Sequence, residues 1–274
     1  ATAHKVGDTV TSTITVASDT DDYTTGSGAI TGTLDGYTLG SLSRNSATEY
    51  EATFTITDGG TDVEAGSSIV VNFTMTDSSG NTSGAFTASI NQTNGGIYAN
   101  LPLITLTTDT NTLGEDGGVA TLAANITGTF NNQWPDTITV NVAYTGTATG
   151  ADYTTSGSSL TINANSSSGT AIITSTADAL YDAASSETVI VDISSVTTGT
   201  ESGTQQQTIS ITDAESAPTV TLTTNNTTIS ENGGTATITA ALNHATYENV
   251  TVNLGYSGSA AIGTDYTSPS SSIT

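Results

Sequence analysis

The feature that most constrains this chain is an internal repeat. The stretch Gly146-Thr-Ala-Thr-Gly-Ala-Asp152-Tyr153-Thr154 returns as Gly258-Ser-Ala-Ala-Ile-Gly-Thr-Asp265-Tyr266-Thr267, its Asp-Tyr pair 113 positions after the first. Upstream of each copy lies a second matched element, Glu115-Asp-Gly-Gly-Val-Ala-Thr121 and Glu231-Asn-Gly-Gly-Thr-Ala-Thr237, 116 positions apart. Two landmarks in the same order at nearly the same offset mark a tandem array of like units. Units of that length can each bury a core of their own, so the 274 residues are read as more than two of them.

Charge narrows the partners. Lys5 and Arg44 stand against 26 acidic residues, a formal charge of -24. Such a chain repels nucleic acid and anionic membranes, and it attracts divalent cations wherever its carboxylates cluster. No cysteine is present, so no disulfide framework exists. The near absence of Lys and Arg leaves few sites for trypsin-like proteases and suits an extracellular setting. No apolar run approaches the roughly 18 residues of a spanning helix, so direct membrane insertion is not expected. The opening Ala1-Thr-Ala-His-Lys5 has no apolar signal core, and the chain reads as an interior stretch of a longer one.

Apolar and polar residues alternate in short runs such as Val10-Thr-Ser-Thr-Ile14-Thr-Val16 and Ile69-Val-Val71-Asn-Phe73-Thr-Met75. Period two means strands with one buried face. Turn clusters such as Thr57-Asp-Gly-Gly60 and Asp77-Ser-Ser-Gly-Asn81 separate them. The expected fold class is all-β, a linear array of tandem antiparallel β-sandwiches. Residues 1–101 form the first, and Asp77-Ser-Ser-Gly-Asn81 followed by Phe86-Thr-Ala-Ser-Ile90 resembles the last hairpin of bacterial immunoglobulin-like (Ig-like) surface repeats. Ala99-Asn-Leu-Pro102 reads as a linker. Residues 102–216 form the second sandwich, with strands at Ile104–Thr107, Ala120–Ile126, Ile138–Tyr144, Leu160–Ile162, Ala171–Ser175, Val189–Ile193 and Thr208–Thr212. Ala177–Ser186 reads as a loop. Residues 217–274 hold about four of seven such strands, which leaves Val250, Val252 and Leu254 facing no second sheet. Two explanations fit that face, a chain cut short or strands donated by another chain.

The acidic residues carry the functional reading. Glu115 with Gly117-Gly118, then Asp152-Tyr153, then Asp178 with Asp182 and Glu187, and finally the strand-ending Asp213 occur in that order. In this pattern residues 103–213 resemble a Calx-beta domain, and residues 219–274 resemble its N-terminal part. The resemblance implies that these acids meet at one end of the sandwich and bind calcium. It also implies the setting of a large repetitive bacterial cell-surface adhesin. Independently of the family, Ca2+ takes six to eight oxygens, best supplied by several carboxylates on separate loops, and here each acid flanks a strand. The metal-ligand candidates are therefore Glu115, Asp152, Asp178, Asp182, Glu187 and Asp213, with Glu231 and Asp265 in the last copy. One ion per unit is expected. Asp116 becomes Asn232 in the second copy and is not counted.

Catalysis is not expected. The histidines are His4 and His244, neither beside a Gly-x-Ser-x-Gly elbow, and no such motif occurs. His/Cys zinc sites are excluded by count. A two-carboxylate glycosidase would want an aromatic-lined cleft, which 1 Trp, 10 Tyr and 4 Phe spread over small sandwiches do not favour. Tyr153 and Tyr266 are expected to pack beside their turns. Trp134, in a loop the second copy lacks, is either a binding aromatic or a cover over the sandwich end. The leading reading is a non-enzymatic, calcium-stiffened stalk at a bacterial cell surface, its partners being calcium ions and neighbouring repeats. The alternative is a module that binds surface glycans or proteins, at an adhesin tip or attached to a secreted enzyme.

Overall fold

A run that buries every second side chain needs a second layer to cover the buried face, and that requirement builds the fold. The computed structural model describes residues 3–17, 22–91, 95–129, 132–182, 186–268 and 270–274. The described residues are all-β, and no helix among them is long and apolar enough to cross a membrane.

In the first third the strands are β1 (His4–Lys5), β2 (Thr9–Thr15), β3 (Ile30–Leu34), β4 (Tyr37–Thr38), β5 (Leu42–Arg44), β6 (Glu49–Thr55), β7 (Ser68–Ile69), β8 (Val71–Met75), β9 (Ile90–Asn91) and β10 (Ile97–Tyr98). Sheets β2-β6-β5 and β4-β3-β8 share one core. Tyr50, Ala52 and Phe54 enter it from β6, and Val71, Phe73 and Met75 from β8. The rings of Tyr37 and Phe54 stack across it at 5.5 Å. The Phe86–Ile90 stretch, second arm of the hairpin that the sequence resembles, pairs only at its ends. Phe86 bridges Phe73 and stacks on it at 5.0 Å, and Ile90 pairs with Ile69. The residues between are small or polar and exposed, so nothing but Phe86 anchors that stretch to the core.

The second unit is built from β11 (Leu103–Thr108), β12 (Thr112–Gly114), β13 (Val119–Thr127), β14 (Ile138–Gly146), β15 (Tyr153–Thr155), β16 (Ser159–Ile162), β17 (Ser168–Ser175), β18 (Ser186–Val196), β19 (Thr200–Glu201) and β20 (Gln206–Thr212). All seven strands expected here form. Two five-stranded sheets, β15-β17-β13-β11-β19 and β12-β20-β18-β14-β16, pack face to face over a single core. Ala120, Leu122, Ala124 and Ile126 fill it from one sheet, and Ile138, Val140, Val189 and Val191 from the other. Gly146 is required where it stands. Its φ is +119°, and a Cβ there would lie 2.1 Å from the Thr188 carbonyl oxygen.

The last third carries β21 (Val220–Thr224), β22 (Ile238–Leu242), β23 (Val252–Asn253) and β24 (Ser272–Ile273). Their registers copy the second unit. Val220 faces Leu242 as Ile104 faces Ile126, and Val252 faces Ile273 as Val140 faces Leu160. No counterpart of β17, β18 or β20 lies against them among the described residues. Side chains buried in the second unit are therefore open here, so that Leu222 is 51% exposed where Leu106 is 2%.

Candidate metal centre

Backbone ties bring separate loops to one end of the second sandwich. The Gly114–Gly118 turn starts where β12 ends, with the Gly117 N–H donating to the Glu115 carbonyl at 2.7 Å. Ser175, the one buried polar side chain among the described residues, donates its hydroxyl to the carbonyls of Gly114 at 2.7 Å and Gly118 at 3.2 Å. That pins the Glu115 turn to the end of β17, three residues before Asp178. The Glu115 N–H donates to the Thr212 carbonyl at 3.0 Å, which pins the same turn to the end of β20, next to Asp213. Thr176 donates its N–H to the Asp152 carbonyl at 2.8 Å, drawing in the β14–β15 loop.

Carboxylate oxygens of Glu115, Asp178 and Glu215 lie within 4.8 Å of one another. Around them Asp213 accepts the Asp182 N–H at 2.7 Å on one oxygen and the Glu215 N–H at 2.9 Å on the other. Asp152 accepts the N–H and hydroxyl of Thr149 at 2.6 and 2.8 Å. Asp178 accepts the Leu180 N–H at 2.7 Å, so its second oxygen is free of that turn. The Oε2 atom of Glu215 is enclosed and has no hydrogen-bond partner. An enclosed carboxylate oxygen without a donor is costly, and a cation would relieve it.

Electrostatics mark the same spot. Burial, and then the charges of Asp178, Asp213, Glu215 and Asp152, push the Glu115 carboxyl up to about 7. Glu187 is pushed up by burial and then by Asp152, Asp182 and Asp178. Glu215 is raised by the Asp213 carboxylate beside it and by burial. Asp213 is lowered. Burial opposes its charge, but the N–H groups of Glu215 and Asp182 outweigh that. Asp152 is likewise lowered, because Thr149 outweighs burial. No basic side chain balances this cluster. Lys5 pairs with Asp8 and Asp136 at 3.1 and 3.2 Å, Arg44 pairs with Asp22 at 2.7 Å, and the sequence has no other Lys or Arg.

Six of the acids named from the sequence, Glu115, Asp152, Asp178, Asp182, Glu187 and Asp213, thus share one neighbourhood. Glu231 and Asp265 join no such group among the described residues. Asp265 does keep the local turn, accepting the Ala261 N–H at 2.7 Å as Asp152 accepts that of Thr149. Glu215 is the member sequence reasoning missed. The signal that could have found it is its place two residues after Asp213. Residues 183–185 of the Ala177–Ser186 loop lie outside the described residues. The described part of that loop also meets the last third: the Tyr181 N–H donates to the Ala245 carbonyl at 3.3 Å, and the Tyr181 carbonyl accepts the Tyr247 N–H at 3.0 Å.

Both aromatic questions are answered by burial. Tyr153 packs on the core with its ring 6.3 Å from that of Tyr144. Trp134 is fully buried at the opposite end of the sandwich from the acids, and of its two readings the cover holds.

No family model matches the chain, and no curated protein matches it in sequence. Among solved structures it is similar to a glycosyl hydrolase family 2 member from Bacteroides cellulosilyticus, at 14% identity and a TM-score of 0.30, over 65% of this chain and 21% of that one. It is also similar to the ectodomain of mouse nectin-like molecule 4, at 10% identity and a TM-score of 0.27, over 89% of this chain and 76% of that one.

Proposed function

We propose that Glu115, Asp178 and Glu215, with Asp152, Asp182, Glu187 and Asp213 around them, hold a calcium ion. We further infer that the chain is a non-enzymatic stalk segment of a large, repetitive bacterial cell-surface adhesin, stiffened by that ion. The observation that carries the reading is the enclosed, donorless Glu215 Oε2 within 4.8 Å of two other carboxylates, in a chain with no basic side chain to spare. Calcium suits the set because it accepts many oxygens in flexible geometry, whereas Mg2+ demands a near-ideal octahedron. When bound, the ion supplies positive charge that turns mutual repulsion into cohesion. The loops it would draw together include Asp178–Asp182, which also touches the last third through Tyr181. Binding therefore stiffens the joint between repeats as well as the sandwich rim.

The alternative, a glycan- or protein-binding module, has Trp134 and the calcium rim as its contacts, and of the two the Trp134 ring is buried. Calorimetric titration of metal-free full chain with calcium tests the site, with magnesium as the comparison. Saturable calcium uptake is expected, and so is its loss in the Glu115→Gln, Asp178→Asn double variant. Absence of binding heat together with a melting midpoint indifferent to chelator would falsify the metal reading. Antibody labelling of intact cells that make the protein tests the surface location.

A further inference from the structure

The first two sandwiches meet at a joint of a different kind. Successive side chains on a strand point to opposite faces, and along residues 97–99 the two faces open into two different cores. Ile97 and Ala99 are buried in the first core, while Tyr98 between them is buried in the second. The Tyr98 ring stands edge-on to Trp134, with centroids 5.8 Å apart and planes at 74°. Val6 packs against both cores, and Ala3 and Leu101 pack against the second. Parallel pairing of β1 with β10 ties these pieces together, His4 opposite Ile97 and Lys5 opposite Tyr98.

Polar contacts close the joint without a metal. Lys5 reaches Asp8 in its own unit at 3.1 Å and Asp136 in the next at 3.2 Å. Asp58 accepts the Leu101 N–H at 2.8 Å, and Asp62 accepts the Ala99 N–H at 2.7 Å and the Asn100 side-chain amide at 3.0 Å. The stretch that reads in sequence as a linker is therefore clamped from the first unit and plugged into the second. Ordinary interfaces between domains of one chain are more polar, and relative motion is their default.

We infer that residues 3–6 and 97–101 weld the first two sandwiches into one cooperative unit that holds without any divalent ion. Unfolding the second sandwich uncovers Tyr98, and unfolding the first uncovers Ile97 and Ala99 and breaks the β1–β10 pairing, so neither opens alone. This goes beyond the calcium reading and stands if that reading fails. The array then has two kinds of joint, one fixed by packing at residues 97–102 and one at residues 213–218 beside the acids.

Trp134 is the only tryptophan in the chain and sits at the welded joint, which supplies the test. The full chain is unfolded in urea, with chelator and with calcium. Trp134 emission reports the second core, and amide hydrogen exchange read by mass spectrometry on β6 and β8 reports the first. One shared midpoint is expected for the two probes, in chelator as in calcium. In Tyr98→Ala both probes should shift together, by about 10 °C in the corresponding thermal scan, and the Trp134 emission should move to the red. Lys5→Met, which keeps the aliphatic stem, should lower both probes by a smaller, equal amount. The wild-type comparison decides the matter even if Tyr98→Ala does not fold. Exchange of β6 and β8 at a lower urea concentration than the Trp134 transition would overturn the weld, and so would separation of the probes by chelator.

Discussion

Replacing Glu115 with Gln sets two effects of one carboxyl against each other. In the metal-free protein this group titrates at about 7 instead of the ordinary 4.5, through burial and the four acids facing it. Below the ordinary value it is protonated in both folded and unfolded chains and contributes nothing. As pH rises from there the unfolded chain releases the proton first, so folded stability falls until the pH passes about 7 and stays low above it. Undamped, that gap is worth about 3.4 kcal/mol. Much of the side chain is within reach of solvent, and screening reduces the figure to about 1–2 kcal/mol. At about 2–4 °C per kcal/mol for a unit of this size, Glu115→Gln in chelator at pH 8 should melt about 2–8 °C above the unmodified chain. Calcium at ten to a hundred times its dissociation constant should stabilise the unmodified chain by about 1.4–2.7 kcal/mol, and the variant by little. At about a hundred times the dissociation constant, where calcium contributes about 2.7 kcal/mol, the order of midpoints thus inverts between chelator and calcium. Scanning calorimetry at pH 5, 6.5 and 8 reads all of this, and the unmodified chain in chelator should lose stability across that series while the variant loses less. A variant that melts at or below the unmodified chain in chelator at pH 8, or that keeps the whole calcium response, refutes the reasoning.

Three further contrasts use the repeat as its own control. Asp152→Asn should weaken calcium uptake by tenfold or more in calorimetric titration, while Asp265→Asn, at the matching position but in no acidic group among the described residues, should leave it unchanged. Gly146→Ala should destabilise in urea by more than 2 kcal/mol, because a positive φ and contact with the Thr188 carbonyl both oppose a Cβ. Gly258→Ala, at φ +133° with nothing within 4 Å of the new atom, should cost about 1 kcal/mol. Leu106→Ala should cost about 2–5 kcal/mol, and Leu222→Ala, half exposed at the matching position, no more than about 0.5 kcal/mol.

Strands were legible wherever alternation ran for four residues or more, as in Leu122-Ala-Ala124-Asn-Ile126, because burial of one face leaves that period in the sequence. The short β12, β15 and β19 carry too few residues to show a period. They form because β20, β17 and β11 offer edges for them to pair with. The 97–101 joint was illegible for the opposite reason. Ile97-Tyr98-Ala99 buries every residue, since its two faces serve two cores, and three apolar residues before Asn-Leu-Pro look like any linker. Glu215 was missed because it lies beyond the last strand, where sequence alone assigns residues to the connection.

Why the other acids could be placed from spacing follows from the direction of the strands. In the second unit β13 starts and β14 ends at the rim where Glu115 lies, since Val119 pairs with Thr174 and Gly146 with Val189. β16 and β17 then turn at the far end, and β17 returns to the rim before Asp178. β18 leaves from the rim at Glu187, whose partner is Ile211, and β20 returns there before Asp213. Every second connection in such a path falls at the same end, and the candidate ligands sit in those connections or, like Glu187, where a strand leaves them. Trp134 sits in one of the others, between β13 and β14. The crowded carboxylates and the aromatic cover are thus placed at opposite ends by topology, so the rim where like charges crowd is the rim that needs a counter-ion, and the end that meets the first sandwich, where Lys5 balances Asp136, can close by packing.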